Sequence, residues 1–541
     1  MKKLLFLLLL TFFYNASFAQ PSIMWSFNTK DASFGQSAAG DIDGDGKLEI
    51  VFGCYRNDSS IYALNAENGT LLWKFNAAGV AEGCNDVAPI IYDVDGDGKL
   101  DVIVPSSCNP KTYCLDGKTG KVKWVCNTRG SDSPPTIADI DGDGKPEILH
   151  GEFGGYVICI NGEDGSVAWE IAVDTDSWIQ TAPTIVDLNN DGKLDFVVAT
   201  WNAVNRNANK VYAYRASDQK LLWTYPLSDV VYHGTAVGDL DGDGKPELVI
   251  GSYNDTLYCI NGENGTTKWK YSLGNNFAAA GPAVIADLDD DGQCEVVFSA
   301  WYKMTALDKN GKVKWQTDIP GYGGSFRGPA VADVNNDRYK DVIFGTNTGH
   351  LIGLNGNDGS IIFDKNLRLN PADSLFDIDH APLVADFDKN GTMDAFIVGG
   401  HAEYPNFYKD YGKAYMVSIG KGKGPDWLMF QHDVRRRSNV CEKDKTGVEE
   451  VNFSESSSLN IYPNPSSGAV WIELQSQSIG VARLEVTNYT GQKIDDQKLK
   501  IDKGLNKVSW KAPKGSTAGI YFFKVRLEEG TAVGKVLMVK D

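Results

Sequence analysis

Short runs of aliphatic residues alternate with acidic or glycine-rich segments through residues 22–440. Runs such as Glu247–Gly251 are too short for an ordinary helix, and their aliphatic composition is typical of strands. Elsewhere two β-rich runs flank an Asn-Gly turn, as in residues 62–75, which predicts a hairpin. The pattern therefore predicts an all-β region made of many short antiparallel strands.

An acidic nonapeptide recurs eight times in this region; four copies have the form DxDxDGxxE, and the other four are variants of it that end in Asp. Its copies begin at Asp41, Asp93, Asp139, Asp187, Asp239, Asp287, Asp333 and Asp386. Successive copies start 46 to 53 residues apart, which is the length of one propeller blade of four strands. We therefore predict an eight-bladed β-propeller over residues 20–440, with seven blades and one additional motif as the alternative.

Each repeat has the same order of elements. Strand a enters the acidic loop, strand b leaves it, and a hairpin supplies strands c and d. Strand d carries an aromatic residue four positions after the hairpin turn, namely Trp73, Trp124, Trp169, Trp223, Trp269, Trp315 and Phe363. Because such side chains bury a large apolar area, we expect them to pack one blade against the next.

A propeller must also cover the free edge of its last blade. The Trp-Ser-Phe at residues 25–27 is similar to the Trp-Lys-Phe of a strand d, and residues 427–430 also follow the eighth repeat. Pairing the two ends of the domain hides the edge. We therefore expect the N-terminal segment to complete the last blade.

The acidic loops have the chemistry of a calcium site. Glycine at position 6 lets the chain turn sharply, so that the side chains at positions 1, 3 and 5 converge, and the acid at position 9 closes the shell. Hard oxygen ligands select Ca²⁺, and we predict up to eight calcium ions. The predicted ligands are Asp41, Asp43, Asp45, Glu49, Asp93, Asp95, Asp97, Asp101, Asp139, Asp141, Asp143, Glu147, Asp187, Asn189, Asp191, Asp195, Asp239, Asp241, Asp243, Glu247, Asp287, Asp289, Asp291, Glu295, Asp333, Asn335, Asp337, Asp341, Asp386, Asp388, Asn390 and Asp394.

Three of these loops depart from the pattern. In the seventh, Arg338 replaces the glycine at position 6, where a positive φ would be strained, and Asn335 lowers the charge. The eighth has Asn390 at position 5, and the fourth has Asn189 at position 3. We expect the seventh loop to hold calcium most weakly, followed by the eighth and then the fourth.

The formal net charge of −19 argues against a nucleic-acid partner, since phosphate recognition depends on basic residues. Eight calcium ions would offset most of that charge.

Residues 1–19 combine two lysines with a short apolar run and end in small residues, which predicts a secretory signal peptide. No later stretch is apolar for long enough to form a transmembrane helix.

The repeats resemble the FG-GAP/VCBS calcium repeat family, and the c–d hairpins look like those of PQQ-type quinoprotein propellers, over about residues 22–440. The first resemblance implies adhesion or ligand binding, and the second implies a dehydrogenase. Because one fold hosts many functions, the fold alone does not decide between them.

The C-terminal region differs from the repeats. From residue 434 to residue 458 the apolar pattern is lost, and we place a linker at residues 441–458 and a small β-sandwich at residues 459–541. Tyr-Pro-Asn-Pro at 462–465, Thr-Gly-Gln at 490–492, Gly-Ile-Tyr at 519–521 and the final Lys-Val-Leu-Met-Val-Lys resemble the type A sorting domain of the type IX secretion system of Bacteroidetes. That resemblance implies export by this machinery, followed by release or by attachment at the outer-membrane surface.

The chain has nine cysteines, so at least one thiol is left over if every disulfide is internal. Cys114, Cys159 and Cys259 share one strand-c position, and we expect them to be reduced and buried. The best disulfide candidates are Cys84 and Cys108, in loops of the second repeat, with Cys54 close by.

A ligand would bind at the face that carries the b–c and d–a loops, or in the central channel. Fourteen residues after the motif start, five repeats carry an aromatic residue: Tyr55, Phe153, Trp201, Tyr253 and Trp301. Six residues before the start, near the expected channel mouth, are His233, Arg327 and His380. Such groups suit a sugar or a peptide, although the aromatic residues could equally pack between blades.

Three functions fit these residues. A binding or adhesion module for carbohydrate or protein needs only this face, and the sequence favours it over an enzyme. A polysaccharide lyase would use a His or Tyr base and Arg327 to neutralise charge, and some such lyases are eight-bladed and bind calcium. A quinoprotein dehydrogenase is third, because the sequence has no Cys-x-x-Cys-His haem-attachment motif.

Overall fold

A computed structural model describes residues 20–77, 84–85, 87–232, 234–274, 281–403, 406, 409–441, 457–464, 466, 468–476, 480–488, 493–513, 519–527 and 530–538. The predicted signal peptide, His233, Pro465 and residues 490–492 lie outside these ranges. The chain divides into two compact units, residues 1–443 and 444–541. In the described residues, no helix is both long and apolar enough to cross a membrane.

Strand β1 (Ser22–Thr29) comes first in the chain and belongs to the last sheet of unit 1. Sheets 1 to 4 are β2 (Ala38–Gly40), β3 (Glu49–Gly53), β4 (Ser60–Asn65), β5 (Leu71–Asn76); β6 (Ile90–Tyr92), β7 (Asp101–Pro105), β8 (Lys111–Asp116), β9 (Val122–Asn127); β10 (Thr136–Ala138), β11 (Glu147–Gly151), β12 (Tyr156–Asn161), β13 (Val167–Ala172); and β14 (Thr184–Val186), β15 (Asp195–Ala199), β16 (Lys210–Arg215), β17 (Leu221–Pro226). In each sheet the four strands pair antiparallel in chain order.

The next sheets repeat the same order. Sheets 5 to 7 are β18 (Ala236–Gly238), β19 (Glu247–Gly251), β20 (Thr256–Asn261), β21 (Thr267–Ser272); β22 (Val284–Ala286), β23 (Glu295–Ala300), β24 (Lys303–Leu307), β25 (Val313–Asp318); and β26 (Ala330–Ala332), β27 (Asp341–Gly345), β28 (His350–Leu354), β29 (Ile361–Asn366). Sheet 8 contains β30 (Phe376–Asp377), β31 (Leu383–Ala385), β32 (Met393–His401), β33 (Tyr411–Gly420) and β1. Two short 3-10 turns lie at Arg206–Ala208 and Pro320–Tyr322.

The burial of the strands follows from their sequences. Strand b is buried along its whole length in every sheet from 1 to 7, as its continuous aliphatic runs require for a strand covered on both faces. Strand d alternates, with exposed positions between partly buried ones. Hydrophobic clusters join each sheet to the next, and one cluster joins sheet 8 back to sheet 1. The all-β prediction is confirmed, and the sheets form a closed ring.

The ring closes as the sequence predicts, through the N-terminal segment. Strand β1 pairs antiparallel with β33, so that Ser26 lies opposite Tyr415 and Phe27 opposite Ala414. The Nε1 of Trp25 donates to the carbonyl oxygen of Ala66 in sheet 1, 2.8 Å away. The start of the domain therefore supplies strand d of the last sheet.

Six strand-d tryptophans donate their indole N–H to a backbone carbonyl in the hairpin of the following sheet, namely Trp25, Trp73, Trp124, Trp223, Trp269 and Trp315. Trp73 donates to Gly117 O at 2.6 Å, and Trp315 donates to Gly356 O at 2.7 Å, each in the hairpin of the following sheet. A Cβ added at the turn glycine of that hairpin would meet the indole, at 2.6 Å in the case of Gly120 and Trp73. This explains why the turn carries glycine, and it confirms that the tryptophans pack between sheets.

Residues 424–441, which we call the inner segment, line the inside of the ring. In chain order, their backbone hydrogen bonds with the innermost strands reach sheets 7, 8, 1, 3, 4, 5 and 6. These bonds involve Asp333 with Gly424, Val384 with Trp427, Ala39 with Leu428, Ile137 with Val434, Ile185 with Arg435, Val237 with Arg437, and Ile285 with Ser438 and Val440. The segment thus makes one circuit of the ring and occupies its centre. Residues 434–440, where the apolar pattern of the sequence is lost, are part of this circuit.

Arg436 anchors the inner segment in the middle of the ring. Its side chain is fully buried, and its guanidinium donates to the carbonyl oxygens of Phe430, Pro135 and Pro89 at 2.5, 2.9 and 3.3 Å. Pro89 and Pro135 precede the first strands of sheets 2 and 3, so this side chain also joins sheet 2 to the inner segment. Burial lowers the pKa of Arg436 to about 9.

Two disulfides lie in unit 1, Cys84–Cys108 and Cys294–Cys441. The first is the predicted pair. The second fixes the end of the inner segment to sheet 6, and the sequence does not point to it because Cys441 stands in an unpatterned stretch. The thiols of Cys114, Cys159 and Cys259 are free and buried, as predicted.

Unit 2 is a separate all-β domain of two sheets. One contains β34 (Ser457–Ser458), β37 (Gly480–Asn488), β38 (Lys493–Ile501), β40 (Gly519–Leu527) and β41 (Gly530–Met538); the other contains β35 (Asn460–Tyr462), β36 (Ala469–Ser476) and β39 (Gly504–Lys511). Their core includes Val470, Leu484, Trp510 and Phe523.

Candidate functional site

The eight acidic loops share one backbone conformation, although their sequences differ. Position 6 has φ between 78 and 88°, and position 4 has φ between 56 and 81°, in all eight. Glycine fills most of these positions because it adopts positive φ without steric cost. Position 4 also requires positive φ, and the sequence analysis missed this requirement because four loops have no glycine there. Positive φ is adopted instead by Asn190, Asp290, Asn336 and Lys389.

The carboxylates themselves hold each loop in shape. In the first loop, Asp41 Oδ1 accepts the N–H of Gly44 at 2.9 Å, and Asp41 Oδ2 accepts the N–H of Gly46 at 3.0 Å. Asp43 and Asp45 accept N–H groups two residues further on. The same bonds recur in the other loops, so the side chains at positions 1, 3 and 5 are fixed before any ligand binds.

The acid at position 9 is the buried member of each loop. Glu49 Oε2 accepts the N–H of Ile42 at 3.0 Å, and Asp341 Oδ2 accepts that of Val334 at 3.0 Å. The second oxygen is buried without a hydrogen-bond partner in four loops, at Glu49, Asp195, Asp341 and Asp394. Burial raises the pKa of Glu49 and of Asp341 to about 8. An oxygen left in this way requires a cation or a proton.

These groups could hold a metal ion. In at least five loops, three carboxylate oxygens lie within 4.8 Å of one another, as for Asp41, Asp43 and Asp45. All donors are hard oxygens, and the buried oxygen at position 9, which has no protein partner in four loops, is available to a cation. The donor set therefore fits a divalent ion of the calcium type.

The seventh loop keeps the shared backbone in spite of its substitution. Arg338 adopts φ of 78°, a conformation that L residues with a Cβ rarely adopt. Its side chain is 70 % exposed, contacts the ring of Tyr339 and lies 4.0 Å from Asp290 of the sixth loop. Asn335 and Asn355 both donate to Asp337 Oδ2, at 3.0 and 2.6 Å.

The face opposite the acidic loops carries the b–c and d–a loops, and all five predicted aromatic residues lie there. Each contacts an aromatic ring from another loop: Tyr55 with Phe34, Phe153 with Trp178, Trp201 with Tyr232 and with Tyr253, and Trp301 with Phe326, at centroid distances of 4.8 to 5.5 Å. The five rings are half-buried. They therefore pack between neighbouring loops and also present part of their surface to solvent.

Arg327 and His380 lie side by side on this face, where the two residues form an isolated parallel β-bridge outside the strands. The Nη1 of Arg327 bonds Asp379 Oδ1 at 2.5 Å. The phenol of half-buried Tyr253 lies within electrostatic range of both partners, and partial desolvation raises its pKa. The sequence analysis missed Asp379, for which only its place beside His380 could have been a signal.

His380 is buried rather than exposed. Its side chain is only 2 % exposed, its Nε2 donates to the carbonyl oxygen of Ser33 at 3.0 Å, and burial lowers its pKa to about 4. A histidine in this position joins sheet 8 to the loop before sheet 1. It is poorly placed to meet a ligand.

A second histidine on the same face has a more open position. The Nδ1 of His401, at the end of β32, lies 2.8 Å from Asp373 Oδ1, and the hydroxyl of Tyr411 donates to Asp373 Oδ2 at 2.8 Å. The imidazole stacks on the Tyr411 ring at 5.5 Å. Asp373 comes from the long connection before β30, so sequence spacing did not bring these three residues together.

Comparison with protein families divides the chain into the same regions. Residues 41–104, 93–150 and 139–198 match the FG-GAP-like repeat, and residues 460–540 match the secretion system C-terminal sorting domain. The chain carries FG-GAP-like repeats and a type IX sorting domain. Residues 207–404 match the family of the outer membrane protein assembly factor BamB. These matches confirm the predicted resemblances, and the sorting domain indicates a secreted or cell-surface protein.

Curated relatives of the chain include polysaccharide-degrading enzymes. The chain is 25% identical over 257 residues to rhamnogalacturonan endolyase YesW of Bacillus subtilis (strain 168), covering 42% of this chain and 38% of the relative. It is 23% identical over 384 residues to rhamnogalacturonan exolyase YesX of the same organism, covering 63% of this chain and 57% of the relative. A lambda-carrageenase of Pseudoalteromonas sp is 35% identical over 80 residues, which cover 15% of this chain and 8% of that enzyme. The chain therefore spans about half the length of the two lyases.

Solved structures share the propeller-type fold. The V. cholerae biofilm matrix protein Bap1 superposes with a TM-score of 0.56 at 16% identity, covering 76% of this chain and 94% of that chain. A europium-containing methanol dehydrogenase superposes with a TM-score of 0.52 at 14% identity, covering 74% and 93%. At these identities the likeness concerns the fold alone.

Proposed function

We propose that this chain is a secreted or cell-surface propeller, stabilised by calcium, that binds carbohydrate at the face opposite its acidic loops. The observation that carries the proposal is the cluster of Trp201, Tyr232 and Tyr253 beside the pair formed by Arg327 and Asp379. Half-buried rings offer flat apolar surfaces to sugar rings, and the neighbouring charged groups offer hydrogen bonds to hydroxyl or carboxylate groups. A protein ligand is the other outcome of a binding screen.

This face is organised before binding. Trp201 is fixed by backbone hydrogen bonds between its N–H and carbonyl oxygen and those of Trp178, at 2.8 and 3.0 Å. Its ring is held edge-on by Tyr232 and Tyr253. A rigid aromatic surface loses little conformational freedom when a ligand binds, which favours affinity.

The relatives support a carbohydrate rather than another ligand. Two of them are rhamnogalacturonan lyases, another is a lambda-carrageenase, and a solved neighbour is a biofilm matrix protein. For this chain we propose an extracellular polysaccharide as the ligand. The inner segment occupies the centre of the ring, so the outer part of the face, rather than a central channel, is where the chain would bind.

Calcium and export complete the proposal. The acidic loops hold calcium as structural ions, up to eight of them, because each loop presents preorganised oxygen ligands around one point. A signal peptide at residues 1–19 directs the chain across the inner membrane, and residues 459–541 deliver it to the type IX secretion machinery. The predicted linker of residues 441–458 then begins after Cys441, which the disulfide holds to sheet 6. The mature protein is then released or held at the outer-membrane surface.

A lyase is the second candidate, and the cluster of His401, Asp373 and Tyr411 favours it. Asp373 orients Nδ1 of His401, which leaves Nε2 as the nitrogen that could take a proton from a sugar carbon next to a carboxylate. Arg327 could neutralise that carboxylate on the same face. His380 is unsuitable as a base because it is buried and bonded to Ser33.

The test is a glycan array, with affinity measurements, on the calcium-loaded full chain. We expect the double variant W201A/W301A to bind the best polysaccharide at least tenfold more weakly, about 1.4 kcal/mol, while W471A in unit 2 binds as the unchanged protein does. Unchanged affinity in W201A/W301A, with a normal melting temperature, would remove the aromatic face from the proposal.

A degradation assay on the same polysaccharides separates the two candidates. If the chain is a lyase, unsaturated products accumulate and H401Q stops their formation while binding persists. If it is a binding module, no product forms with either protein. Product formation that survives in H401Q would reject His401 as the base.

A further inference from the structure

The eight acidic loops fall into two classes that their own sequences do not reveal. The difference lies on strand d, at the residue just before the conserved aromatic position. This residue is lysine in three sheets, namely Lys123, Lys268 and Lys314. It is apolar in the other five, namely Met24, Leu72, Ala168, Leu222 and Ile362.

Each of the three lysines reaches into the acidic loop of its own sheet. The Nζ of Lys123 lies 2.5 Å from Asp95 and 2.9 Å from Asp101, at positions 3 and 9 of the second loop. Their side chains are only 20 to 24 % exposed. An ammonium group held there is an internal partner of the loop rather than a surface charge.

The fifth and sixth loops repeat this arrangement. Lys268 bonds Asp241 and lies 2.9 Å from Glu247, and Lys314 bonds Asp289 and lies 2.9 Å from Glu295. In both cases the partners again occupy positions 3 and 9. The lysine therefore contacts two of the carboxylates that a calcium ion would need.

Four of the five loops without lysine show the opposite condition at position 9. Glu49, Asp195, Asp341 and Asp394 are fully buried, and each has one carboxylate oxygen with no hydrogen-bond partner. In the lysine-containing loops, the corresponding oxygens of Asp101, Glu247 and Glu295 accept from the ammonium group. The structure thus supplies a cation to the acid at position 9 in three loops and leaves four others with a buried oxygen there that lacks one. In the fourth loop Arg215 lies 3.4 Å from Asp191 at position 5, not from the acid at position 9.

The distribution of charge follows the same division. The three lysine-containing loops each have acids at all four positions 1, 3, 5 and 9. The three loops in which asparagine replaces one acid have no lysine. Only the first and third loops combine four acids with an apolar residue on strand d, so these two carry the most uncompensated negative charge.

We propose that Lys123, Lys268 and Lys314 are built-in counter-ions that take the place of calcium, so that calcium binds tightly only at the first, third, fourth, seventh and eighth loops. The inference rests on calcium binding as proposed above. A lysine ammonium competes directly with calcium for the same oxygens, and we expect these three loops to bind it at least about tenfold more weakly. This order of calcium affinities differs from the order predicted from the ligand residues alone, in which the fourth, seventh and eighth loops bind calcium most weakly.

Equilibrium dialysis of the full mature chain against calcium, with the metal content measured directly, tests the proposal. We expect five tightly bound ions in the unchanged protein and eight in the triple variant K123M/K268M/K314M. Methionine is chosen because it occupies this position in sheet 8. The matched control is K245M, since Lys245 stands in the fifth loop itself but its ammonium pairs with Glu263, and this variant should still bind five.

A reverse substitution keeps the test decisive if the triple variant folds poorly. Ala168 is exposed on strand d of sheet 3, so A168K can place a lysine beside the third loop without disturbing the core. We expect A168K to bind one calcium ion fewer than the unchanged protein, with a melting temperature that depends less on chelator.

The possible outcomes separate the two proposals. No bound calcium in the unchanged protein would overturn calcium binding itself. Eight equally tight ions in the unchanged protein, with no change in the lysine variants or in A168K, would overturn the role of the lysines while calcium binding stands. Five ions that rise to eight when the lysines are removed would support both.

Discussion

The acidic loops and the inner segment hold the same ring together in different ways. Each loop uses the same backbone, and the same carboxylate bonds recur at the same positions in one sheet after another. The inner segment has no internal repeat, yet it meets the sheets one after another in ring order. The loops act within a sheet, whereas the inner segment connects sheets that are far apart in the chain.

This difference concerns the source of stability as well as the geometry. The loops concentrate negative charge and need a cation before they stabilise anything. The inner segment relies on backbone hydrogen bonds, buried Trp427 and Phe430, and the Cys294–Cys441 disulfide. The ring should therefore contain a part of its stability that depends on calcium and a part that does not.

Of the tests proposed here, removing calcium should change the stability of the ring most. An ion that binds only the folded state at a concentration 100 times its dissociation constant adds about 2.7 kcal/mol, and several loops act together. We expect excess EGTA to lower the melting temperature by more than about 10 °C. Scanning calorimetry measures this, with EGTA plus a larger excess of calcium as the control. An unchanged melting curve in EGTA would contradict any stabilising role of the loops.

Substituting Arg436 tests the inner segment in the same way. In R436M the carbonyl oxygens of Phe430, Pro135 and Pro89 lose their common donor, although the cost of burying a charge is also removed. We expect the free energy of unfolding to fall by about 3 kcal/mol, measured by denaturant unfolding in saturating calcium.

The control for this substitution is K423M. Lys423 is exposed just before the inner segment, so the change should stay within about 0.5 kcal/mol. The calcium stoichiometry of R436M should match that of the unchanged protein. Equal stability of R436M and K423M would show that the inner segment does not hold the ring.

The same contrast explains what the sequence could predict. The nonapeptide, the turn glycines and the strand-d tryptophans recur at a fixed period, so the sheets, their strand order and the closing strand β1 follow from local pattern. The inner segment and Cys441 lack such a pattern, because their contacts depend on long-range order. Lys123 is an intermediate case. It lies in a recognisable repeat position, but only the geometry shows that its ammonium reaches Asp95 and Asp101.

On the face opposite the acidic loops, the acidic partners of Arg327 and His401 come from a long connection rather than from repeat positions. Arg327 and His380 could be found from their repeat position, but their surroundings could not. Asp379 and Asp373 lie in the extended stretch before β31, where the repeat length changes and alignment gives no register. For this reason the residues of the acidic loops were predictable one by one, whereas the groups on the opposite face were predictable only as a region.

The seventh loop offers a test with the smallest expected effect. It keeps the backbone shared by all eight loops although position 6 carries arginine, which disfavours positive φ. Arg338 holds φ of 78° and makes few contacts, so R338G removes strain at little cost in packing. We expect R338G to stabilise the calcium-loaded protein by about 0.5 to 1 kcal/mol, and the reverse change G391R in the eighth loop to destabilise it by a similar amount. Denaturant unfolding measures both. If neither variant differs from the unchanged protein, positive φ at position 6 carries no strain, and the glycines of the other loops are there for a different reason.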